Sequence, residues 1–484
     1  MTGNRQAPTG TPKAIPGGGT PEGMVLDESH RYFTGIAYPR RYYQELNPAS
    51  IAYAALQCGY QAPRLDRPFR YLDLGCGHGY SPLLFASLFP QGHFMGVDFN
   101  PVHVTSAEGL RQAAGLDNAS FSAASFQDLA TDERGPSGDC DFIVMHGIMS
   151  WVSETVRREI GAVIRRRLKP GGIVYASYNC QPGWAGKMPI RALMVDAYAV
   201  TTGTVEERVN KVRAFLRQMA DTGALYFDAN PAIKQQLEAI ESLDAGYVAH
   251  EYLNEYWRVF YHKEMATFMG GHGAGFIGSG THADNVPLLA VPEKPRALMA
   301  AMPTSLLREG VRDMALNRQF RRDIYANGLA PLSLDALLTV HRGTRYALAR
   351  RRADCAMVVP RSFGDVALHE GFFAPLLDRL AAGPAMFDEL AALAPLNEWA
   401  VADQVQALQV LVGADYVRAI VDGAGVAADS PTVRRFNQAA LAAALADDQP
   451  DVALAAPALS GALRVHLDDT ADLPVDLPGA TFSA

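Results

Sequence analysis

The sequence predicts an α/β protein built on a doubly wound parallel sheet, with a helical insertion and an additional, mainly helical C-terminal region. Three observations carry this reading. Between residues 69 and 178 short apolar runs alternate with helical stretches, the pattern of a parallel sheet wrapped by crossover helices. The first run ends in glycines at 75, 77 and 79, a spacing that lets the backbone turn sharply out of a strand. The second run ends in Asp98, 21 residues after Gly77, the separation a βαβ unit needs to bring a carboxylate onto a ribose.

Taken in order, residues 1–24 are rich in Gly, Pro and Thr without periodicity and read as a flexible tail. Tyr42 and Tyr43 precede the helical run PASIAYAALQCGY. They either cap one end of a bound ligand or pack in a tyrosine-rich segment on the sheet. Tyr71–Leu74 is the first strand, and Tyr80–Phe89 is a buried helix with Pro82 in its first turn, where a missing N–H costs nothing. His93–Val97 is the second strand, Pro101–Ala114 a helix, and Ala119–Ala124 the third strand, running into Ser125-Phe126-Gln127-Asp128. Cys140–Met145 is an apolar fourth strand of the kind a buried parallel sheet requires. Its end delivers Met145 and His146 to the crevice where such sheets bind ligands. Thr155–Leu168 reads as a helix, Lys169–Gly172 as a tight turn and Ile173–Ser177 as the fifth strand.

The spelling of the glycine turn narrows the ligand. It holds no basic residue and no Walker lysine, whereas a pyrophosphate would want helix N–H groups and a cation. The ligand implied is a nucleoside without phosphates that carries its own positive charge; a dinucleotide-binding or ligand-free domain is the alternative. DLGCGHG followed by GVDFN resembles the glycine motif and following acid of the class I S-adenosylmethionine-dependent methyltransferases, and LKPGG before the fifth strand is another habit of that family. The resemblance implies a Rossmann-like methyltransferase sheet with S-adenosyl-L-methionine as cofactor. Asp73, Gly75, Cys76, Gly77 and Gly79 would lie along its methionine moiety and Asp98 on its ribose hydroxyls. Phe99 and Asn100 would lie beside the adenine, with Ser125 and Phe126 near its amino group. Tyr43, Met145 and His146 would close the crevice.

Methyl transfer from a sulfonium is an in-line displacement, so the protein has to hold an acceptor lone pair near the methyl carbon and exclude water. Tyr178, Asn179 and Trp184, just past the fifth strand, offer a phenol, an amide and an indole where the acceptor arrives; alternatively they cap strand ends. His146 is either a general base or a hydrogen-bonded crevice histidine. N-methyltransferases of several classes carry Asn or Asp followed by prolines after the fourth strand, and this chain has none there.

Residues 189–244 form a long helical stretch, read as an insertion acting as a lid or an acceptor-recognition cap. The core, residues 25–188, resumes over 245–290, with a helix at His262–Met269 and a returning strand at Gly273–Ser279. YNCQPGW and, further on, AHEYLNEYWRVFYHKEM resemble bacterial enzymes carrying a methyltransferase regulatory domain, among them the rickettsial protein lysine methyltransferases. This resemblance covers roughly residues 30–290. It implies a protein acceptor with accessible lysines, transfer to the ε-amine, and a homodimer.

Residues 291–360 read as helical, with Arg318–Arg322 a basic patch on a solvated helix face. Residues 361–484 form an acidic C-terminal domain with a winged-helix-like pattern over 371–420, but six arginines, no lysine and seventeen acidic residues give it a net charge of −11. Affinity for a polyanion rests on cations that release counterions, so nucleic acid is excluded and protein docking or dimerisation is favoured. No apolar run approaches the roughly 20 residues that cross a bilayer, so no membrane partner is expected and the location read is cytoplasmic. The five cysteines show neither CxxC nor metal-ligand spacing, so no metal is expected. The rival readings are a methyltransferase for a small molecule or sugar precursor, and a non-catalytic cofactor-binding scaffold.

Overall fold

The computed structural model describes residues 40–131, 140–254, 256–421, 425–447 and 449–467. The predicted tail at 1–24 and the last residues of the acidic domain lie outside them. The chain divides into two compact units, one containing Pro189–Glu255 and the other Tyr38–Met188 with Tyr256–Ala484.

The larger unit is organised by a seven-stranded sheet of β1 (Phe69–Leu74), β2 (Gly92–Asp98), β3 (Ala119–Ala123), β4 (Cys140–Met145), β5 (Leu168–Asn179), β6 (Gly275–Ser279) and β7 (Phe320–Ala326). Their order is 3-2-1-4-5-7-6. The first five are parallel, and β7 runs antiparallel to both β5 and β6. The helices α1 (Pro48–Gln57), α2 (Tyr80–Leu88), α3 (Pro101–Ala114), α4 (Phe126–Thr131) and α5 (Glu154–Arg167) alternate with the strands. Local chemistry sets their ends: Asn100 caps α3 by accepting from Val102 N at 3.0 Å, with Pro101 in the first turn and left-handed Gly115 past the last. The predicted turn at Lys169–Gly172 is a bulge inside β5, because Cys140 pairs with Leu168 and Phe142 with Ile173.

Alternation along each strand sorts side chains onto two faces. Tyr71, Phe94, Phe142, Val144 and Tyr175 join α1 and α2 in one apolar cluster. Leu72, Val97, Ile143, Met145, Ala176 and Tyr178 join Ile160 and Ile164 of α5 and Met265 of the helix His262–Gly271 in another. Burial of these runs on both faces is what the uninterrupted apolar strands β1 and β4 require.

β7 corrects the sequence reading. Arg318–Arg322 is not a solvated helix face: β7 starts at Phe320, and Arg321 is 3% exposed. Its guanidinium lies 3.0 Å from Asp323, 2.5 Å from Asp313 and 2.8 Å from Glu309. Asp323 also accepts from the Tyr178 hydroxyl at 2.5 Å and stands 3.2 Å from His262 Nδ1. Burial alone would raise its carboxyl, but Arg321 and His262 outweigh that and hold it well below the usual range. The region read as helical over 291–360 therefore supplies a strand of the central sheet.

The described residues beyond 361 fall into two packing groups. The order helix Glu370–Ala381, strand Ala385–Met386, helices Phe387–Ala391 and Val401–Gly413, and strand Val417–Ile420 is the order of a winged helix. Its sheet is completed by Arg345–Leu348. The next helix, Pro431–Ala446, and the hairpin of Asp451–Ala456 with Gly461–His466 pack on α2 and α3 instead. Phe436 stands 5.9 Å from the Tyr80 ring, the Tyr80 hydroxyl donates to Ala453 O at 2.5 Å, and Asn47 Nδ2 donates to Ser460 O at 2.7 Å.

The smaller unit is helical, with Val205–Asp221, Pro231–Ser242 and Ala245–Tyr252 around buried Val209, Val212, Leu216, Leu237 and Val248. A Thr204–Glu207 capping box starts the longest of these helices. This unit runs to 255, past the predicted boundary at 244.

Because Phe436 is fully buried against α2, Phe436→Ala should remove about 3–5 kcal/mol from the sheet-bearing unit, measured by urea denaturation. A loss under about 1 kcal/mol would show that the C-terminal layer is peripheral to that core.

Candidate active site

The same alternation that builds the core assembles a polar site beyond it. Continuing past Tyr71, Phe94, Val144 and Tyr175 in steps of two gives Asp73, Asp98, His146, Ser177 and Asn179, all on the α2-facing side at the C-terminal ends of β1, β2, β4 and β5.

The β1–α2 turn is left-handed at Gly75, Gly77 and Gly79 (φ +76°, +54° and +66°). It is pinned to β2 by Gly75 N and Cys76 N, which donate to Val97 O at 2.8 and 3.1 Å. A Cβ at Gly77 would meet no atom within 4 Å, so the turn leaves open room over bare main chain. Asp98 is 6% exposed. Its Oδ2 accepts from Gly77 N at 2.9 Å, and its Oδ1 accepts from Asn100 N at 2.9 Å and lies 3.3 Å from His103 Nδ1. A carboxylate offers about four lone-pair positions, and the two backbone N–H groups fill two of them, so two ligand hydroxyls can be taken when one replaces His103, the longest contact at 3.3 Å. The Cys76 thiol lies in the turn against Gly96, and burial raises its pKa, which marks a filler rather than a nucleophile.

Asp73 decides the charge of the ligand. It is 3% exposed and no cation of the described chain pairs with it. Burial, and then the Asp98 carboxylate, push it up to about 8. A buried acid in that state is stabilised by a cation from outside. S-adenosylmethionine carries such a cation at its ammonium and sulfonium, so the residues present fit it: Asp73 and the glycine turn would hold the amino-acid end and Asp98 the ribose. When bound it supplies an electrophilic methyl group.

His146 lies across the crevice. Its ring stacks on Tyr43 at 4.2 Å, and its Nδ1 is 3.3 Å from the Tyr175 hydroxyl and 3.2 Å from Ser177 Oγ. Burial pushes its pKa down to about 4, with Glu45 opposing and Arg322 assisting. The Glu45–Arg322 ion pair (2.8 Å) and Phe320, 6.1 Å from the imidazole, complete this wall. Phe320 pairs with Asn179, and Arg322 with Ser177, across β5 and β7.

The other predicted residues divide. Ser125 and Asp128 cap α4 reciprocally at 3.1 Å, with Phe126 partly buried beside them. Phe99 and Asn100 are half-buried after Asp98, and Asn100 is the cap of α3. The structure does not bring Tyr178, Met145 or the Trp184 indole N–H to the crevice. Tyr178 and Met145 are fully buried on the opposite face, one residue out of phase with Asn179 and His146. Trp184 is 4% exposed, donates to Gln319 O at 3.1 Å and packs edge-on to Trp257 at 4.8 Å. Tyr178 and Trp184 therefore do not face the acceptor, and Met145 does not line the cofactor crevice. Glu45, Tyr175, Ser177, Phe320 and Arg322 escaped sequence reading. For Tyr175 and Ser177 the signal was available, since they stand four and two residues before Asn179 on one strand.

Two outcomes test this geometry. Asp98→Ala should weaken S-adenosylmethionine binding by about 1.5–3 kcal/mol, the loss of charge-assisted bonds to two hydroxyls; unchanged affinity by calorimetry would reject the assignment. Asp73 is mostly protonated in the free protein below about pH 8 and is ionised beside a bound cation, so binding releases a proton. Affinity should therefore climb with pH, by roughly tenfold per unit, up to about pH 7, above which Asp73 and the ligand's own α-ammonium both begin to titrate. Calorimetry at pH 7 in buffers of different ionisation heat should show close to one proton released, and Asp73→Asn should abolish the release.

The comparisons agree with the geometry. A methyltransferase domain matches residues 65–222 and a methyltransferase regulatory domain matches 244–327, so the second match includes β6, β7, Phe320 and Arg322. An uncharacterized protein of Synechocystis is 32% identical over 445 residues, 92% of this chain and 86% of the relative. An uncharacterized protein of Rickettsia prowazekii is 28% identical over 62% of this chain and 53% of its own length. Among solved structures, PKMT2 from Rickettsia typhi, crystallised with AdoHcy, superposes with a TM-score of 0.67 at 20% identity, covering 89% of this chain and 86% of that one. The chain belongs to the S-adenosylmethionine-dependent methyltransferases that carry a methyltransferase regulatory domain.

Proposed function

We propose that the protein transfers methyl groups to lysine ε-amines of a protein acceptor in the cytoplasm. The observation that carries this reading is the extent of the likeness to Rickettsia typhi PKMT2, which takes in nearly the whole of both chains and not the cofactor-binding sheet alone. The crevice chemistry agrees with an amine: beside the donor site stand a neutral imidazole and the oxygens of Tyr175 and Ser177.

The magnitudes assign His146 its part. A lysine ammonium ionises near 10.4 and His146 near 4, so direct proton transfer between them would be uphill by about six pK units, or about 8 kcal/mol. His146 is then a neutral hydrogen-bond acceptor and packing surface, and the amine loses its proton to water before it is methylated. At saturating donor, kcat/KM for the protein acceptor should rise with pH from 6 to 9 with no inflection near 6.5. A bell or plateau centred near 6.5 would make His146 the base.

The identity of the acceptor is tested by incubating the protein with isotopically labelled S-adenosylmethionine and a heat-treated bacterial protein extract, then locating the label by mass spectrometry. Label on lysine Nζ is expected. Label confined to small molecules or to carboxylate side chains would overturn the reading.

A further inference from the structure

Two side chains at the end of β5 have buried polar atoms that nothing among the described residues satisfies. Asn179 is 5% exposed, and its main chain is fully engaged: its N–H donates to Ser150 Oγ at 2.9 Å and its carbonyl accepts from Phe260 N at 3.0 Å. Its side-chain Nδ2 is buried without a partner. The chain stays extended through Cys180, which bridges to Phe260, and turns at Gln181; Cys180 N donates to Gln319 O and Gln181 N to Phe260 O at 2.8 and 3.0 Å. Alternation therefore puts Gln181 on the same side as Asn179 and Ser177, while Cys180 joins Tyr178 in the opposite cluster. The Gln181 Oε1 is also buried and unpartnered. An orphaned buried amide costs about 1–3 kcal/mol, and two in one stretch on the His146 face point to a ligand that completes them.

We propose that Asn179 and Gln181 form the subsite that holds the acceptor nitrogen, an inference that rests on the lysine reading above. A neutral primary amine has two N–H donors and one lone pair. Two amide oxygens take both donors and leave the lone pair aimed into the crevice. No described partner fixes which end of the Asn179 amide faces that space, and a half-turn about its terminal bond presents the oxygen. The balance is simple. The ammonium first gives one proton to water; its freed lone pair forms the N–C bond, and the methyl group's bond to sulfur breaks with its electron pair on sulfur. Asn179 and Gln181 change no bonds and act by orientation. They also disfavour an anionic acceptor, because a carboxylate brings no N–H for the Gln181 oxygen.

The test uses the full chain and four proteins: wild type, Asn179→Leu, Gln181→Met and Gln181→Glu. Each is assayed with labelled S-adenosylmethionine and the heat-treated extract, and its affinity for S-adenosylhomocysteine is measured by calorimetry. Asn179→Leu and Gln181→Met should each lower transfer to lysine by roughly tenfold or more, one lost hydrogen bond, with S-adenosylhomocysteine affinity within about twofold of wild type. Gln181→Glu keeps the oxygens but favours the ammonium, so its transfer should recover at high pH, with the rising limb of the pH profile displaced upward by about one unit. Wild-type rates in the leucine and methionine variants would overturn the subsite. So would a parallel loss of S-adenosylhomocysteine affinity, or an unmoved pH profile in Gln181→Glu. Wild type that labels no lysine at all overturns the underlying reading, and the subsite with it; that result is distinct from lysine labelling that the variants leave unchanged.

Discussion

The structure depends on one geometric constraint: successive side chains of a strand face opposite sides of the sheet. That rule buries Leu72, Ile143, Met145 and Tyr178 against α5 and the helix His262–Gly271. It leaves their neighbours Asp73, His146, Ser177 and Asn179 to line the other side at the strand ends. A one-residue slip would exchange the two sets. Core and site are therefore specified by the same register, and the apolar clusters that stabilise the fold also place the polar groups that bind and orient reactants.

Within the site the charges are arranged to receive a cation and to avoid holding one. Asp73 and Asp98 are buried near each other with no lysine or arginine of the described residues between them, and burial, then the Asp98 charge, raises Asp73. The arginine across the crevice, Arg322, is already paired with Glu45, and the imidazole beside it is kept neutral. Buried acids facing a neutral wall suit a positively charged donor and an uncharged nucleophile. The glycine turn contributes shape rather than charge, through its left-handed backbone and the room above Gly77.

Much of this was legible in the sequence because it is local. The strands β1 to β4, the glycine turn, Asp98 at the end of β2 and the caps of α3 follow from apolar runs, turn residues and spacing. β7 was hidden because FRRDIYA carries Arg321 and Asp323 where a buried strand normally shows aliphatic side chains. Their burial is compensated by Glu309, Asp313, His262 and Tyr178, partners brought together only by the fold. Tyr178 and Met145 attracted attention by residue type, whereas strand parity, also readable, excludes them. The return of Pro431–Ala446 and its hairpin onto α2 and α3 had no sequence signal, since an alanine-rich amphipathic helix states that it packs but not against what.

The central claim is that one face at the ends of β1, β2, β4 and β5 is where the donor lies, its ribose on Asp98 and its amino-acid end at Asp73. A crystal structure of this protein with S-adenosylhomocysteine tests it most directly. The account predicts both ribose hydroxyls within hydrogen-bonding distance of the Asp98 carboxylate and the amino group reaching Asp73 over Gly77. Density for the ligand elsewhere, or with its adenine where the ribose should sit, would contradict it.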